Sequence, residues 1–259
     1  MNKIQVYKYH AAGNDFVMVN NSKDSISLST EEIKKICHRR FGLGADGIVF
    51  INPHPKYDYE VVYFNADGSI GFCGNGCRAS VMLAHRLDIV KKHAIFLAAD
   101  GVHKADIIDN EHIKVSMSDV KNIEQKSELD YFVNTGTEHN VRFVKNLSAY
   151  PVVEEGRKIR YSDAYKPKGT NANFVEVDED GYVNFRIYER GVEDETYSSG
   201  SGATACALTV AEVRGLTEPI NLRANGGNLI VNFHKTGNGF VDIYLTGPAR
   251  FVYKTDWER

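Results

Sequence analysis

No run of apolar residues in this chain approaches the roughly 18 that a membrane-spanning helix needs. The opening residues Met-Asn-Lys-Ile-Gln-Val-Tyr also lack the continuous apolar stretch of a secretory signal. A soluble, cytoplasmic protein without a membrane partner is expected. Cysteine is scarce: Cys37, Cys73, Cys77 and Cys206 are too few for a disulfide scaffold in 259 residues, and a reducing compartment keeps them as thiols. Excess charge of one sign is missing too. Lys plus Arg number 31 against 34 Asp plus Glu, a formal net charge of −3, and no long basic run supplies the electrostatic footprint of a nucleic-acid binder. Cys73 and Cys77 have neither a second cysteine pair nor a histidine at ligand spacing, so no metal site is expected. What these absences leave is a small-molecule protein in which thiol chemistry is available.

Hydrophobic residues at 42% and charged residues at 25% are those of a globular chain, long enough for one large domain or two smaller ones. Alternating patterns bounded by turn residues predict strands near 4–9, 15–20, 47–51, 59–65, 94–98, 103–108 and 112–117. A second series follows near 131–134, 139–144, 172–178, 182–188, 219–224, 228–234 and 239–245. Asp109-Asn110 and Asp180-Gly181 fit hairpin turns, so the sheets should be mostly antiparallel. Ser29-Thr30-Glu31-Glu32 reads as a capping box, and Pro151 as the opening of a helix to about 160.

Two further helices differ in kind. The segments 75–87 and 201–213 are built from Gly, Ala, Ser, Cys, Met, Leu and Val on nearly every face of their first three turns, which marks helices buried all round. They also expose a repeat. Cys73-Gly74-Asn75-Gly76 aligns with Ser199-Gly200-Ser201-Gly202, and at the same offset Ala79 meets Ala205 and Met82 meets Leu208. Upstream, Gly13-Asn14-Asp15 resembles Gly136-Thr137-Glu138, so two similar halves are the economical reading.

A G-x-G opening a buried helix points several backbone N–H groups outward at the positive end of the helix dipole, a setting for a carboxylate or phosphate. Neither copy has the further residues of a P-loop or of a dinucleotide fingerprint, which leaves small anions. The blander reading is that the glycines only permit tight helix entry. Cys73 stands at the N-cap or first turn, where the dipole favours thiolate, and is a candidate base or nucleophile. Cys37, Cys77 and Cys206 read as core thiols.

In combination, several segments resemble the diaminopimelate epimerase family over essentially the whole chain. They are Gly13-Asn14-Asp15-Phe16, Arg40-Phe41-Gly42-Leu43-Gly44-Ala45-Asp46-Gly47, Asn65-Ala66-Asp67-Gly68, Cys73-Gly74-Asn75-Gly76, Thr170-Asn171-Ala172-Asn173-Phe174 and Tyr188-Glu189-Arg190-Gly191-Val192. The resemblance implies an α/β (α+β) fold of two similar domains, each a mostly antiparallel sheet wrapped around a buried central helix. It places them at 1–119, with 247–259 returning to it, and at 120–246. It also implies a cofactor-independent inversion of LL- to meso-diaminopimelate, an isomerase step serving lysine and peptidoglycan synthesis. The partner is then a small-molecule amino acid, and a homodimer is left open. Inversion needs a proton removed from one face of the α-carbon and another delivered to the opposite face, which is a reason for duplication.

By the resemblance, Cys73 and Ser199 hold the catalytic positions. Gly74, Asn75, Gly200 and Ser201 form the helix N-termini that take the α-carboxylate, and Asn14, Asn65, Asn171, Glu189 and Arg190 take the distal end of the substrate. Arg190 can clamp a carboxylate, while Glu189 suits an ammonium; an ordinary strand-end ion pair is their other reading. His139 matches a family histidine near the site.

The main departure is Ser199, which stands where the family has its second catalytic cysteine. A hydroxyl is a far weaker acid than a thiol, and no His or Lys adjoins it in Tyr197-Ser198-Ser199-Gly200 to activate it. An epimerase impaired by this substitution is the leading expectation. A one-thiol amino-acid racemase, a hydroxyproline-type dehydratase and a non-catalytic amino-acid-binding protein are the alternatives. Smaller departures are Thr137 for a common Asn, Glu138 for Pro, Gly47 for Gln in some members, and a loop from Gly68 to Cys73 one residue short.

Overall fold

The computed structural model describes residues 3–259, and the chain divides into two units, Met1–Val115 with Gly247–Arg259, and Ser116–Thr246. In the first, strand Lys3–Ala11 turns through Ala12 and Gly13, both at positive φ, into Asn14–Asn20, and on its other side pairs antiparallel with Arg250–Glu258. Asn14–Asn20 runs parallel to Gly47–Asn52, which pairs antiparallel with Tyr59–Asn65. Tyr59–Asn65 in turn runs parallel to His93–Ala98, and Gly101–Ile107 and His112–Ser116 follow antiparallel.

A parallel pair demands a crossover, and each crossover here carries a helix. Helix α1 (Thr30–Cys37) occupies the first and α2 (Gly74–Arg86) the second. The period-2 alternation of the strands supplies a face to each. Val17, Val19, Ile48 and Phe50 turn toward Ile33 and Ile36 of α1. On the other face, α2 touches strands from Lys3–Ala11 to Gly101–Ile107, so that Asn75 to Ala84 are all buried. Helix α1 begins at the expected capping box, with Ser29 and Glu32 each bonding the other's backbone N–H.

The second unit repeats this order. Glu138–Phe143 runs parallel to Asn171–Val177, which pairs antiparallel with Val183–Tyr188; that strand runs parallel to Ile220–Ala224, and Gly227–Thr236 and Gly239–Pro248 follow antiparallel. Helix α3 (Val152–Arg160) fills the first crossover and packs Val152 and Ile159 against Phe174 and Tyr188. Helix α4 (Gly200–Arg214) fills the second and is buried from Gly200 to Ala211 except at Ser201; Gly215 ends it in the left-handed conformation. The hairpin before Glu138–Phe143 turns at Gly136, φ 98°, as the first unit's turns at Gly13, φ 88°. The two-domain duplication read from Cys73/Ser199 and Gly13/Gly136 is therefore a repeat of whole topology, with antiparallel pairs in the majority in each unit. No helix among the described residues is long and apolar enough to cross a membrane.

Candidate active site

In the first unit Cys73 is the N-cap of α2, with extended backbone (φ −144°, ψ 107°), and its sulfur accepts the Gly76 N–H at 3.4 Å. The thiol donates to Asn14 Oδ1 at 3.4 Å, and Asn75 Nδ2 donates to the same oxygen at 3.2 Å. Asn14 is held in this orientation from behind: its Nδ2 donates to Asp46 Oδ2 at 2.7 Å, and Arg39 bridges Asp46 and Asp15. Asp15 in turn pairs with the buried Lys8. Asn65 ends its strand nearby in sequence and donates to Ser69 Oγ at 3.0 Å. At Gly76 an added Cβ would stand 3.4 Å from Val49, an ordinary contact.

In the second unit Ser199 is the N-cap of α4 (φ −129°, ψ 131°), and its Oγ accepts the Gly202 N–H at 3.2 Å. The fit at Gly202 is tighter than at Gly76: an added Cβ would meet Asn173 Oδ1 at 2.7 Å. Ser199 Oγ lies 3.3 Å from Ser201 Oγ, which lies 3.0 Å from His139 Nε2 and accepts from Thr137 Oγ1 at 3.1 Å. Ser199 therefore does have a histidine within two hydrogen bonds, which its immediate sequence neighbours do not reveal. The direction of that network follows from Asn173. Its Nδ2 donates to the Asn140 carbonyl at 2.8 Å and to His139 Nδ1 at 3.1 Å, so the Nδ1 lone pair is taken and the neutral ring carries its proton on Nε2. His139 thus points a proton toward the hydroxyls. It offers Ser199 no base.

Burial, together with the Arg190 charge, pulls His139 down to about 3 from its ordinary 6.5. Below 6.5 the unfolded chain takes up a proton that the folded one refuses, so stability should fall as the pH drops from about 6.5 to about 3. Asp15 and Asp130, whose pKa values are lowered from 3.8, add losses only in the lower part of that range. Denaturant midpoints at pH 7 and pH 5 should therefore differ less in His139→Gln than in the unsubstituted protein; equal differences would show that folding does not hold the His139 pKa down.

Of the residues assigned to the distal end, Asn14 and Asn65 lie in the first unit and Asn171, Glu189 and Arg190 in the second. Glu189 and Arg190 directly follow the strand Val183–Tyr188, and Asn171 opens the neighbouring strand Asn171–Val177. Asn171 Oδ1 accepts the Arg190 N–H at 2.9 Å while its Nδ2 donates to the Glu138 carbonyl at 2.9 Å. Arg190 pairs with Glu138 at 2.9 Å, and Glu189 accepts from Thr196 Oγ1 at 2.8 Å. Glu138, the partner of Arg190, is the residue that stands where the family has Pro.

Of the four thiols, Cys37, Cys77 and Cys206 are buried and Cys73 is half-buried. Burial pushes Cys37 up to about 11 and Cys77 and Cys206 well above the ordinary thiol value. A small alkylating reagent at neutral pH should label Cys73 first; peptide mapping that found Cys37 or Cys206 labelled equally fast would remove Cys73 from its special place. Among the described residues no three His, Cys, Asp or Glu side chains gather as metal ligands.

The model of the family described as diaminopimelate epimerase matches residues 6–123 and 131–252. The chain belongs to that family. A diaminopimelate epimerase of Flavobacterium psychrophilum is 43% identical over 258 residues, covering 97% of this chain and 99% of that protein. The one from Chlorobaculum tepidum is 36% identical over 252 residues, covering 94% and 97%. Among solved structures, a Bacillus anthracis phenazine biosynthesis protein of the PhzF family superposes with a TM-score of 0.80 at 15% identity, covering 100% of both chains. A hydroxyproline epimerase from Agrobacterium vitis, solved with trans-4-hydroxy-L-proline, does so at 0.71 and 13%, covering 98% of this chain and 92% of that one. At such identities these two establish the shared fold. Three supporting residues in this family member escaped the sequence reading: Asp46 behind Asn14, Asn173 behind His139, and Arg78, fully buried in α2. Each had a signal. Asn173 is two residues from Asn171 on the same strand, and Arg78 is a charge inside an otherwise small and apolar helix.

Proposed function

We propose that the chain is a cofactor-independent epimerase of LL-diaminopimelate, in which Cys73 exchanges the α-proton on one face and Ser199 limits transfer on the other. One observation carries this: in a duplicated fold of this family, equivalent helix N-caps bear Cys73 and Ser199, each accepting the N–H three residues on. The reaction asks for two groups on opposite faces of one carbon, and each unit holds one candidate. The outward N–H groups of Gly74 and Asn75, and of Gly200 and Ser201, suit an α-carboxylate whose charge grows as the proton leaves. Asn14, Asn65, Asn171, Glu189 and Arg190 then serve the distal amino-acid end. A lyase acting with a single thiol is favoured by one feature, the hydroxyl at 199, since elimination needs only one strong base.

The test is incubation with LL- and with meso-diaminopimelate in deuterated water. The isomer presenting its α-proton to Cys73 should gain deuterium with little inversion, because return from the same thiol restores the original configuration. Absence of exchange into either isomer would refute the reading, and dehydration of hydroxyproline would replace it with the lyase.

A further inference from the structure

Helix α2 carries a charge that the chemistry above leaves unused. Arg78, on the turn after Cys73, has no exposed surface, yet only its Nη2 has a partner: it donates to Asn75 Oδ1 at 2.8 Å. Nε and Nη1 are buried without a hydrogen-bond acceptor, and no described carboxylate pairs with the group. A buried cation left this way is costly unless an anion close by offsets it. Burial draws Arg78 down to about 10, which leaves it charged at neutral pH, and the groups whose charge acts on it are the sulfurs of Cys73 and Cys77. Cys77 is fully buried and pushed far up, so it stays a thiol. Cys73 is the remaining candidate for the anion.

The geometry gives the cation a second route to that sulfur. By fixing Asn75 Oδ1, Arg78 turns Asn75 Nδ2 toward Asn14 Oδ1, the oxygen that accepts the Cys73 S–H. When the thiol loses its proton, that oxygen retains a donor instead of facing a thiolate with its lone pairs uncompensated. The other buried titratable groups on the strands packed against α2 are Lys8, Tyr7, Tyr9, Tyr59, Tyr63 and His103. None of them offers an unmatched positive charge: Lys8 is paired with Asp15 and His103 with Asp100, and the tyrosines are neutral acids, with Tyr9 and Tyr59 pushed up by burial.

We propose that Arg78 is a positioning residue for Cys73, a buried guanidinium that orders Asn75 and Asn14 and holds a fixed positive charge behind the sulfur, favouring thiolate over thiol. The inference rests on Cys73 as the proton-transfer group of the reading above, but its test needs no substrate. Iodoacetamide labelling of Cys73 is followed against pH by peptide mass spectrometry in the unsubstituted protein, Arg78→Met, Arg78→Lys and Asn75→Ala. An opposite charge nearby displaces a thiol by about one unit or more, so below the midpoint Arg78→Met should react roughly tenfold more slowly, with its profile moved to higher pH. Arg78→Lys keeps the charge and should stay close to the unsubstituted profile. Asn75→Ala keeps the charge and loses the link, and should fall between them.

Circular dichroism and denaturant unfolding report whether each variant is folded. A purely structural arginine would lower the unfolding midpoint and leave the labelling profile in place, which would overturn the proposal. Should Arg78→Met not fold, Arg78→Gln, which can still donate to Asn75, carries the same comparison, and a profile superimposable on the unsubstituted one is again the overturning result. Failure of the epimerase reading looks different: no deuterium exchange into diaminopimelate, whatever the labelling profiles show.

Discussion

Ser199→Cys should raise the rate of meso-diaminopimelate formation from the LL isomer by about two to four orders of magnitude, the range typical of one general acid/base group. The affinity for substrate should change little, because the α4 N-terminus and the residues around Arg190 do not depend on sulfur. The hydrogen bonds at Ser199 explain why the hydroxyl cannot do the same work. Its oxygen accepts from Gly202 N and sits beside Ser201, and behind Ser201 the only imidazole in the network carries its proton on the near nitrogen. The network can therefore steady a hydroxyl that donates a hydrogen bond. Its imidazole has no free lone pair on the near nitrogen with which to take that hydroxyl's proton. A thiol needs no such help, since at a helix N-cap the dipole and the Gly202 N–H favour its anion directly. The measurement is the initial rate of LL-to-meso conversion by both forms, with binding determined separately. Equal turnover would mean that the hydroxyl or another group is competent and that a thiol pair is not this protein's mechanism.

The parts of this site that could be read from the sequence are those whose chemistry is local. A cysteine before G-x-G is an N-cap because the cap, the missing side chains and the apolar helix adjoin one another, and the capping box at Ser29 was legible for the same reason. The strands were legible where alternation ran for five residues or more. Ile70–Gly71, Ile123–Gln125 and Glu195–Thr196 are too short to show a period, and tertiary pairing alone makes them strands. The supporting shell was hidden because it is assembled across distant segments: Asn14 meets Asp46 and Asn75, and His139 meets Asn173 and Ser201, through separate strands and helix ends. Glu138 shows the same effect, for its pairing with Arg190 depends on the two strands being brought into register through Asn171.

That pairing shapes the second large effect. Arg190→Ala should weaken binding of LL-diaminopimelate by about 2–5 kcal/mol, the usual cost of truncating one partner of a hydrogen-bonded charge pair, or roughly 30- to 5,000-fold in Kd. Two causes would contribute. Arg190 is the cation proposed to hold the distal carboxylate, and its removal also leaves Glu138 with the more distant Lys168, at 3.9 Å, so that a less compensated carboxylate would oppose the distal carboxylate of the zwitterionic substrate. The double variant Arg190→Ala/Glu138→Gln separates them: recovery of most of the affinity would assign the loss to Glu138, and persistence would assign it to the missing clamp. L-Lysine, which keeps the distal ammonium and lacks the distal carboxylate, gives the complementary control. Its binding should be insensitive to Arg190→Ala, or even improve slightly as a cation is removed near its own. Titration calorimetry of both ligands against the single and double variants supplies all the comparisons. If LL-diaminopimelate binds Arg190→Ala as tightly as the unsubstituted protein, Arg190 does not hold the distal carboxylate and serves only to neutralise Glu138.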